Sequence, residues 1–207
     1  MSPGRVQYCA VKSKAILLAL CAMLLWSMLA FLSVQLSRIP PFLLIGCALV
    51  IGALCGVHRI SQWRVPAKVL LLGVYGLFGY HFCLFMALRL APPVEANLIN
   101  YLWPLLIVIL SPIFLAGYFL KARHVAAAIL GLAGAALIVT GGRLSFDSRF
   151  MPGYLLAALA AFIWSSYSLM TKRIRSFPNA AIGLFCLCSG LLARSCTSCW
   201  NRDMSSR

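Results

Sequence analysis

VEANLINYLWPLLIVILSP, running from Val94 to Pro112, is apolar enough to lie in a bilayer, yet it carries Glu95, Asn97, Asn100, Tyr101, Trp103 and two prolines. Every polar group left unpaired in hydrocarbon is costly. A helix that met only lipid would have no use for this load. The stretch is therefore expected to belong to a membrane helix that faces a polar or aromatic interior.

The rest of the chain agrees with a membrane setting. Hydrophobic residues make up 63% of it and charged ones 10%, and the mean hydropathy is +0.96, more apolar surface than a soluble domain of 207 residues could hide. The net charge of +15 would suggest nucleic acid, but the 18 Lys and Arg residues are spread in small groups between apolar runs. That spacing marks membrane topology, and no nucleic-acid partner is expected. The nine cysteines are mostly single and apolar-flanked. Cys186, Cys188, Cys196 and Cys199 have the count for zinc, but the first pair lies in an apolar run with no histidine or acidic second shell nearby. Neither a metal, a disulfide framework nor a cofactor is expected.

At 1.5 Å per residue, roughly 17 residues are the least that cross about 30 Å of hydrocarbon. On that measure spans fall near 15–36, 41–57, 67–90, 94–119, 122–140 and 152–171. The first is too long for a cleaved leader and is read as an uncleaved helix. A seventh run, Ala180 to Ala193, has 14 residues before Arg194 and reads as a partial span. Arg5, Lys12, Lys14, Arg59, Arg64, Lys68, Lys121, Arg123, Lys172, Arg173 and Arg175 fall on one side, against Arg38, Arg89, Arg143 and Arg149 on the other. The basic side is the cytoplasmic one, so the N-terminus is expected there.

Small residues mark where helices can approach closely. Gly52 with Gly56, the stripe Gly73, Gly76 and Gly79, and Ala127, Gly131 and Ala135 point to packed second, third and fifth spans. Trp26-Ser27 and Trp164-Ser165 stand at equal depth in the first and sixth spans, 138 residues apart. Five spans separate equivalent helices, so the two cross in opposite directions, as in the inverted repeats of secondary transporters.

Tryptophan and tyrosine usually collect at membrane interfaces. Here Trp26, Trp103 and Trp164 stand about 15 Å into their spans, with Tyr80 and His81 close to the same level. Such rings can simply fill a bundle core. Together with Asn100 and Tyr101, though, their polar handles need partners in one place. His81 could bond a backbone carbonyl or relay protons, and Glu95 could complement its own helix dipole or couple substrate or protons. Pro104 lacks the N–H that would bond the Asn100 carbonyl, and Pro112 does the same to Val108, so kinks and freed carbonyls are expected at both. A carbonyl, an amide and aromatic faces suit an ammonium group with an aromatic ring, at about 0.5–2 kcal/mol per cation–π contact.

At these residues a resemblance appears. NYLWP at Asn100 to Pro104 with Glu95 before it, LLWS in the first span, and YLLAALAAFIWSSYSLMTKR from Tyr154 closely resemble the aromatic amino-acid exporter branch of the EamA-type drug/metabolite transporter superfamily. The resemblance covers about residues 14–190. It implies an all-α polytopic bundle of ten helices in two inverted five-helix repeats, a central cavity, and export of aromatic amino acids across a bacterial inner membrane. It also implies that Trp26, Tyr80, His81, Tyr101, Trp103 and Trp164 occupy cavity positions.

Along the chain this gives a cytoplasmic N-terminus (1–14), a first repeat (15–140), an outer loop (141–151), an incomplete second repeat (152–193) and an aberrant polar tail (194–207). The tail is expected to come from a frameshift or premature stop within the seventh helix. The expected function is a secondary transporter working by alternating access, probed by a small-molecule substrate in the lipid bilayer and able to work as a homodimer. Export of another metabolite or drug, and a non-transporting membrane fragment, are the alternatives. No nucleophile and base pair or metal cluster points to an enzyme.

Overall fold

The computed structural model describes residues 16–21, 23–24, 41–115, 117, 119–140, 147–174 and 177–205. The chain divides into two units, Met1–Pro40 and Pro41–Arg207. In the first, residues 16–21 and 23–24 are helical, and the remainder of the expected first span, Trp26 included, lies outside the described residues.

The second unit is helical throughout its described length. Its helices are α1 (Pro41–Gly56), α2 (Ala67–Val74), α3 (Tyr80–Leu90), α4 (Pro93–Asn100), α5 (Trp103–Phe114), α6 (Ala122–Thr140), α7 (Met151–Arg173) and α8 (Ile182–Ser205). Proline sets several of the boundaries. Ala91, at φ −144° and ψ 158°, leaves the helical region just before Pro92-Pro93, because a proline ring clashes with a helical predecessor. Pro93, Pro104 and Pro152 then each stand in the first turn of the helix that follows, where a missing N–H costs nothing. Gly117 makes the turn after α5 at φ +82°, a conformation that L side chains avoid.

Among the described residues, five segments are long and apolar enough to cross a membrane: Phe42–Trp63, Ala67–Leu90, Pro93–Phe114, Ser148–Arg173 and Asn179–Thr197. The last extends the 14-residue run anticipated from sequence to 19 residues. A 3-10 turn at Asn179–Ala181 adds to its front, and Arg194 does not end it. The hydroxyls of Ser195 and Thr197 bond the carbonyls of Leu191 and Ala193 at 3.1 Å each, so polar residues are carried inside the helix. The expected polar tail is thus helical through Ser205.

α7 is the central element. Half of its apolar window is buried, against 11% for Phe42–Trp63 and for Pro93–Phe114. Its alanines make this possible: Ala157, Ala160 and Ala161 are fully enclosed, the first against Ala87 and Ala96 and the second against Cys83. Small side chains let the backbones of α3, α4 and α7 approach and exchange dispersion contacts.

Glycine does the same elsewhere, at partly different positions from those the sequence suggested. A Cβ on Gly73 would fall 2.3 Å from the Phe185 ring, and one on Gly76 would fall 2.3 Å from the Tyr167 ring. Gly79 meets Ile163 at ordinary contact distance. Gly52 and Gly131 meet nothing within 4 Å among the described residues, so the expected close contacts are not seen there. The tight crossing lies instead at Gly46 and Gly190, whose Cβ positions come within 3.1 and 2.9 Å of each other's carbonyl oxygens. Gly56 faces Gly183 along the same seam. Numbers rise along α1 as they fall along α8, so the two helices run antiparallel.

Candidate functional site

The stretch expected to form one kinked span is in fact two helices. α4 ends at Asn100, Tyr101 and Leu102 form a turn at ψ 0° and −16°, and α5 begins at Trp103. Pro104 explains the difference. In mid-helix it would orphan a carbonyl and clash with the preceding turn, whereas at the start of a new helix it does neither. The break lifts Asn100 out of the regular ladder and leaves its side chain buried, 5% exposed.

Asn100 Nδ2 donates to the Tyr80 hydroxyl at 3.2 Å, while Asn100 Oδ1 is buried with no hydrogen-bond partner among the described residues. The Tyr80 oxygen accepts this bond, so its own proton remains available for donation. Acceptor and donor therefore stand side by side in an apolar interior.

Aromatic rings surround the pair. Tyr80 packs on Trp164 and on His81, each with centroids 5.0 Å apart. Trp164 continues to Tyr167 at 5.7 Å, and His81 stacks on Phe85 at 6.3 Å with 23° between planes. Phe42 of α1 reaches the same group through Phe82 at 5.4 Å and Phe85 at 6.4 Å. His81 Nδ1 stands 2.6 Å from the Leu77 carbonyl oxygen. A carbonyl only accepts, so Nδ1 carries the proton, and in the neutral ring Nε2 is an acceptor.

The backbone before Tyr80 is a π-helical turn, Tyr75–Gly79, a local widening that re-aims the side chains following it. Besides the close packing of Gly76 on Tyr167, a hydrogen bond ties this turn to α7. The Tyr75 hydroxyl and Ser166 Oγ are 2.9 Å apart, and Ser166 spends its proton on the Phe162 and Ile163 carbonyls, so Tyr75 is the donor. Next to it, Ser165 Oγ lies 2.9 Å from the Trp103 carbonyl and 2.6 Å from that of Ala161. Sequence reading passed over Tyr75, Ser166 and Phe42, and treated Ser165 only as half of a repeat marker. The one usable signal was that Ser165 and Ser166 sit beside Trp164 in mid-span.

The sequence pattern of the EamA-like transporter family matches residues 13–140. The chain belongs to the EamA-like transporter family. It is 42% identical over 194 residues to the aromatic amino acid exporter YddG of Ancylobacter novellus, covering 89% of this chain and 67% of that protein. It is 29% identical over 199 residues to the protein of the same name in Escherichia coli, covering 86% and 66%. A solved crystal structure matches with a TM-score of 0.79 at 43% identity, covering 89% of this chain and 66% of that one. The chain thus spans about two thirds of the length of these relatives. It is a polytopic membrane protein of a transporter family and not an enzyme.

In this EamA-like chain the other singled-out residues are less gathered. Tyr101 is 46% exposed at the break, and Trp103 touches α7 through its backbone carbonyl, its side chain being half-buried. Glu95 stands in the first turn of α4, five residues or about 7.5 Å before Asn100. Its Oε2 is buried with no hydrogen-bond partner among the described residues. Pro112 is inside α5, and the Val108 carbonyl it strands is capped by the Ser111 hydroxyl at 2.8 Å. That carbonyl is therefore engaged within its own helix. One turn beyond Trp103 and Trp164 towards the basic end of the bundle, α5 and α7 line a cavity of about 270 Å³ that includes Ile107, Val108 and Leu169.

Proposed function

We propose that this chain supplies the substrate-binding helices of an inner-membrane exporter of aromatic amino acids. The observation that carries the reading is the Asn100–Tyr80 pair. It offers one free acceptor and one free donor within reach of the Trp164 and His81 rings. A zwitterionic amino acid has the complementary groups: its ammonium donates to Asn100 Oδ1, its carboxylate accepts from the Tyr80 hydroxyl, and an aromatic side chain stacks on the rings. The relatives from Ancylobacter novellus, Salmonella typhimurium and Escherichia coli, each named an aromatic amino acid exporter, support the same substrate class.

In this reading Trp26, Tyr101 and Trp103 complete the stacking surfaces as the site changes shape. His81 Nε2 and the buried Glu95 carboxylate are the candidates for coupling charge or protons to transport. Transport proceeds by alternating access between two inverted repeats, with the N-terminus in the cytoplasm, and a second copy of the chain can complete the cavity as a homodimer.

A second reading, export of another amino-acid metabolite, is favoured by the 28% identity over 181 residues to the probable amino-acid metabolite efflux pump of Salmonella typhimurium. Efflux of labelled phenylalanine from preloaded cells expressing the chain separates the two. Phenylalanine efflux above the empty-vector level that is lost in Asn100→Leu supports the first. Efflux of non-aromatic amino-acid metabolites with none of phenylalanine overturns it.

A further inference from the structure

The cavity on the α5–α7 seam has a second property. Its walls are apolar, from Val108, Leu115 and Leu169, and its rim carries His124 and Lys172. Lys121, Arg123 and Arg173 stand within a residue or three of that rim in sequence, and none of these cations has a carboxylate partner among the described residues. Glu95 and Asp147 are too far to serve, since they stand at the opposite ends of α4 and α7. Phe119, which lines the groove, is 83% exposed, so the groove opens on an apolar flank.

We propose that this groove binds an anionic phospholipid, with the phosphate at Lys172 and His124 and part of one acyl chain along Val108, Leu115 and Leu169. A cavity of 270 Å³ holds only part of an acyl chain. The exposed Phe119 and its neighbour Leu120 would lie along the remainder. Unpaired cations at the basic end of a membrane bundle are the electrostatic match for an anionic headgroup. An amino-acid zwitterion fits worse. It would bring an ammonium into a rim of cations, and the Val108 carbonyl that might have received it is already bonded by Ser111. The free phosphate ester of the headgroup shares the anionic chemistry but leaves the apolar walls wet.

The test uses the full chain purified in a zwitterionic detergent, with thermal unfolding followed as lipid is added. Phosphatidylglycerol is expected to raise the melting temperature, with little shift from phosphatidylcholine or glycerol phosphate at the same concentrations. Lys172→Ala should raise the half-saturating phosphatidylglycerol concentration about fivefold, and His124→Ala, which removes an N–H donor from the rim, should raise it by less. Lys172→Arg should leave it nearly unchanged, as should Lys68→Ala, which removes a cation outside the groove. The melting temperature without lipid reports whether each variant is folded. Equal shifts from phosphatidylcholine, saturation by glycerol phosphate alone, displacement of the lipid by phenylalanine, or an effect of Lys68→Ala as large as that of Lys172→Ala would each overturn the proposal.

Discussion

Ser165 on α7 holds its hydroxyl oxygen 2.9 Å from the carbonyl oxygen of Trp103 on α5, and 2.6 Å from the Ala161 carbonyl of its own helix. One hydroxyl proton serves two acceptors. The Trp103 carbonyl belongs to the first turn of α5, directly after the break, so this bond fixes where the second half of the broken span docks on the central helix. Ser165 is fully buried, so its replacement leaves the α5–α7 contact without this hydrogen bond. Ser165→Ala should cost about 0.6 kcal/mol, the mean for hydrogen bonds between membrane helices, and at most ~1.7 kcal/mol. It should also change the emission of Trp103 and Trp164. Chemical unfolding in mixed micelles measures the first and fluorescence the second; an unchanged spectrum would mean the bond does not set the α5 docking.

Tyr80 and Asn100 depend on one another in a way that single substitutions expose. Tyr80→Phe removes the acceptor from Asn100 Nδ2, leaving a buried amide unpaired at both ends, which costs about 1–3 kcal/mol. Asn100→Leu removes the amide altogether and should be the milder change for stability, because no orphaned amide remains. For ligand binding both variants lose one proposed contact, Asn100→Leu the ammonium acceptor and Tyr80→Phe the carboxylate donor. Melting temperatures and phenylalanine binding, measured on both variants, should therefore show binding weakened in each and stability lost mainly in Tyr80→Phe. Full phenylalanine affinity in Asn100→Leu contradicts the assignment of Asn100 Oδ1 to the ligand.

Glycine positions give a contrast within one type of substitution. An alanine at Gly73 or Gly76 meets the buried body of Phe185 or Tyr167 at 2.3 Å, and overpacking of this kind costs about 1–3 kcal/mol. An alanine at Gly52 or Gly131 meets nothing within 4 Å among the described residues, and loss of helical glycine there should stabilise by about 0.5–1 kcal/mol. Thermal unfolding of the four variants decides it. Destabilisation by Gly131→Ala equal to that of Gly73→Ala would mean that α6 has a close neighbour.

The pattern of these glycines shows where sequence reading stops. A small-residue stripe says that a helix can be approached, and says nothing of which stripe finds a neighbour. Gly73 and Gly76 found Phe185 and Tyr167, whereas Gly52 and Gly131 found none, and the Gly46–Gly190 crossing gave no repeat to notice. The spans were legible because hydropathy and length are properties of a single segment. Tyr80, Asn100 and Trp164 were legible as a group because polar and aromatic residues deep in apolar runs need partners, and these three do meet. The Tyr75–Ser166 tie joins residues 91 apart that are individually unremarkable, so only the assembled bundle reveals it. Pro104 was read correctly as a discontinuity but as the wrong kind, since a proline in a run does not say whether the chain bends or starts a new helix.

Pro112 and Ser111 allow the remaining prediction to be made without any ligand. Pro112 cannot supply the N–H that the Val108 carbonyl would otherwise receive, and Ser111 Oγ donates to that carbonyl at 2.8 Å in its place. With Pro112 present, Ser111→Ala should strand the carbonyl and destabilise by about 0.6 kcal/mol, with ~1.7 kcal/mol as the upper range. With Pro112→Ala, the new N–H at 112 can bond Val108, and Ser111→Ala should then cost little. The four proteins form a double-mutant cycle whose interaction energy isolates this substitution of one donor for another. Strictly additive effects in chemical unfolding would show that the serine hydroxyl does not replace the missing backbone donor.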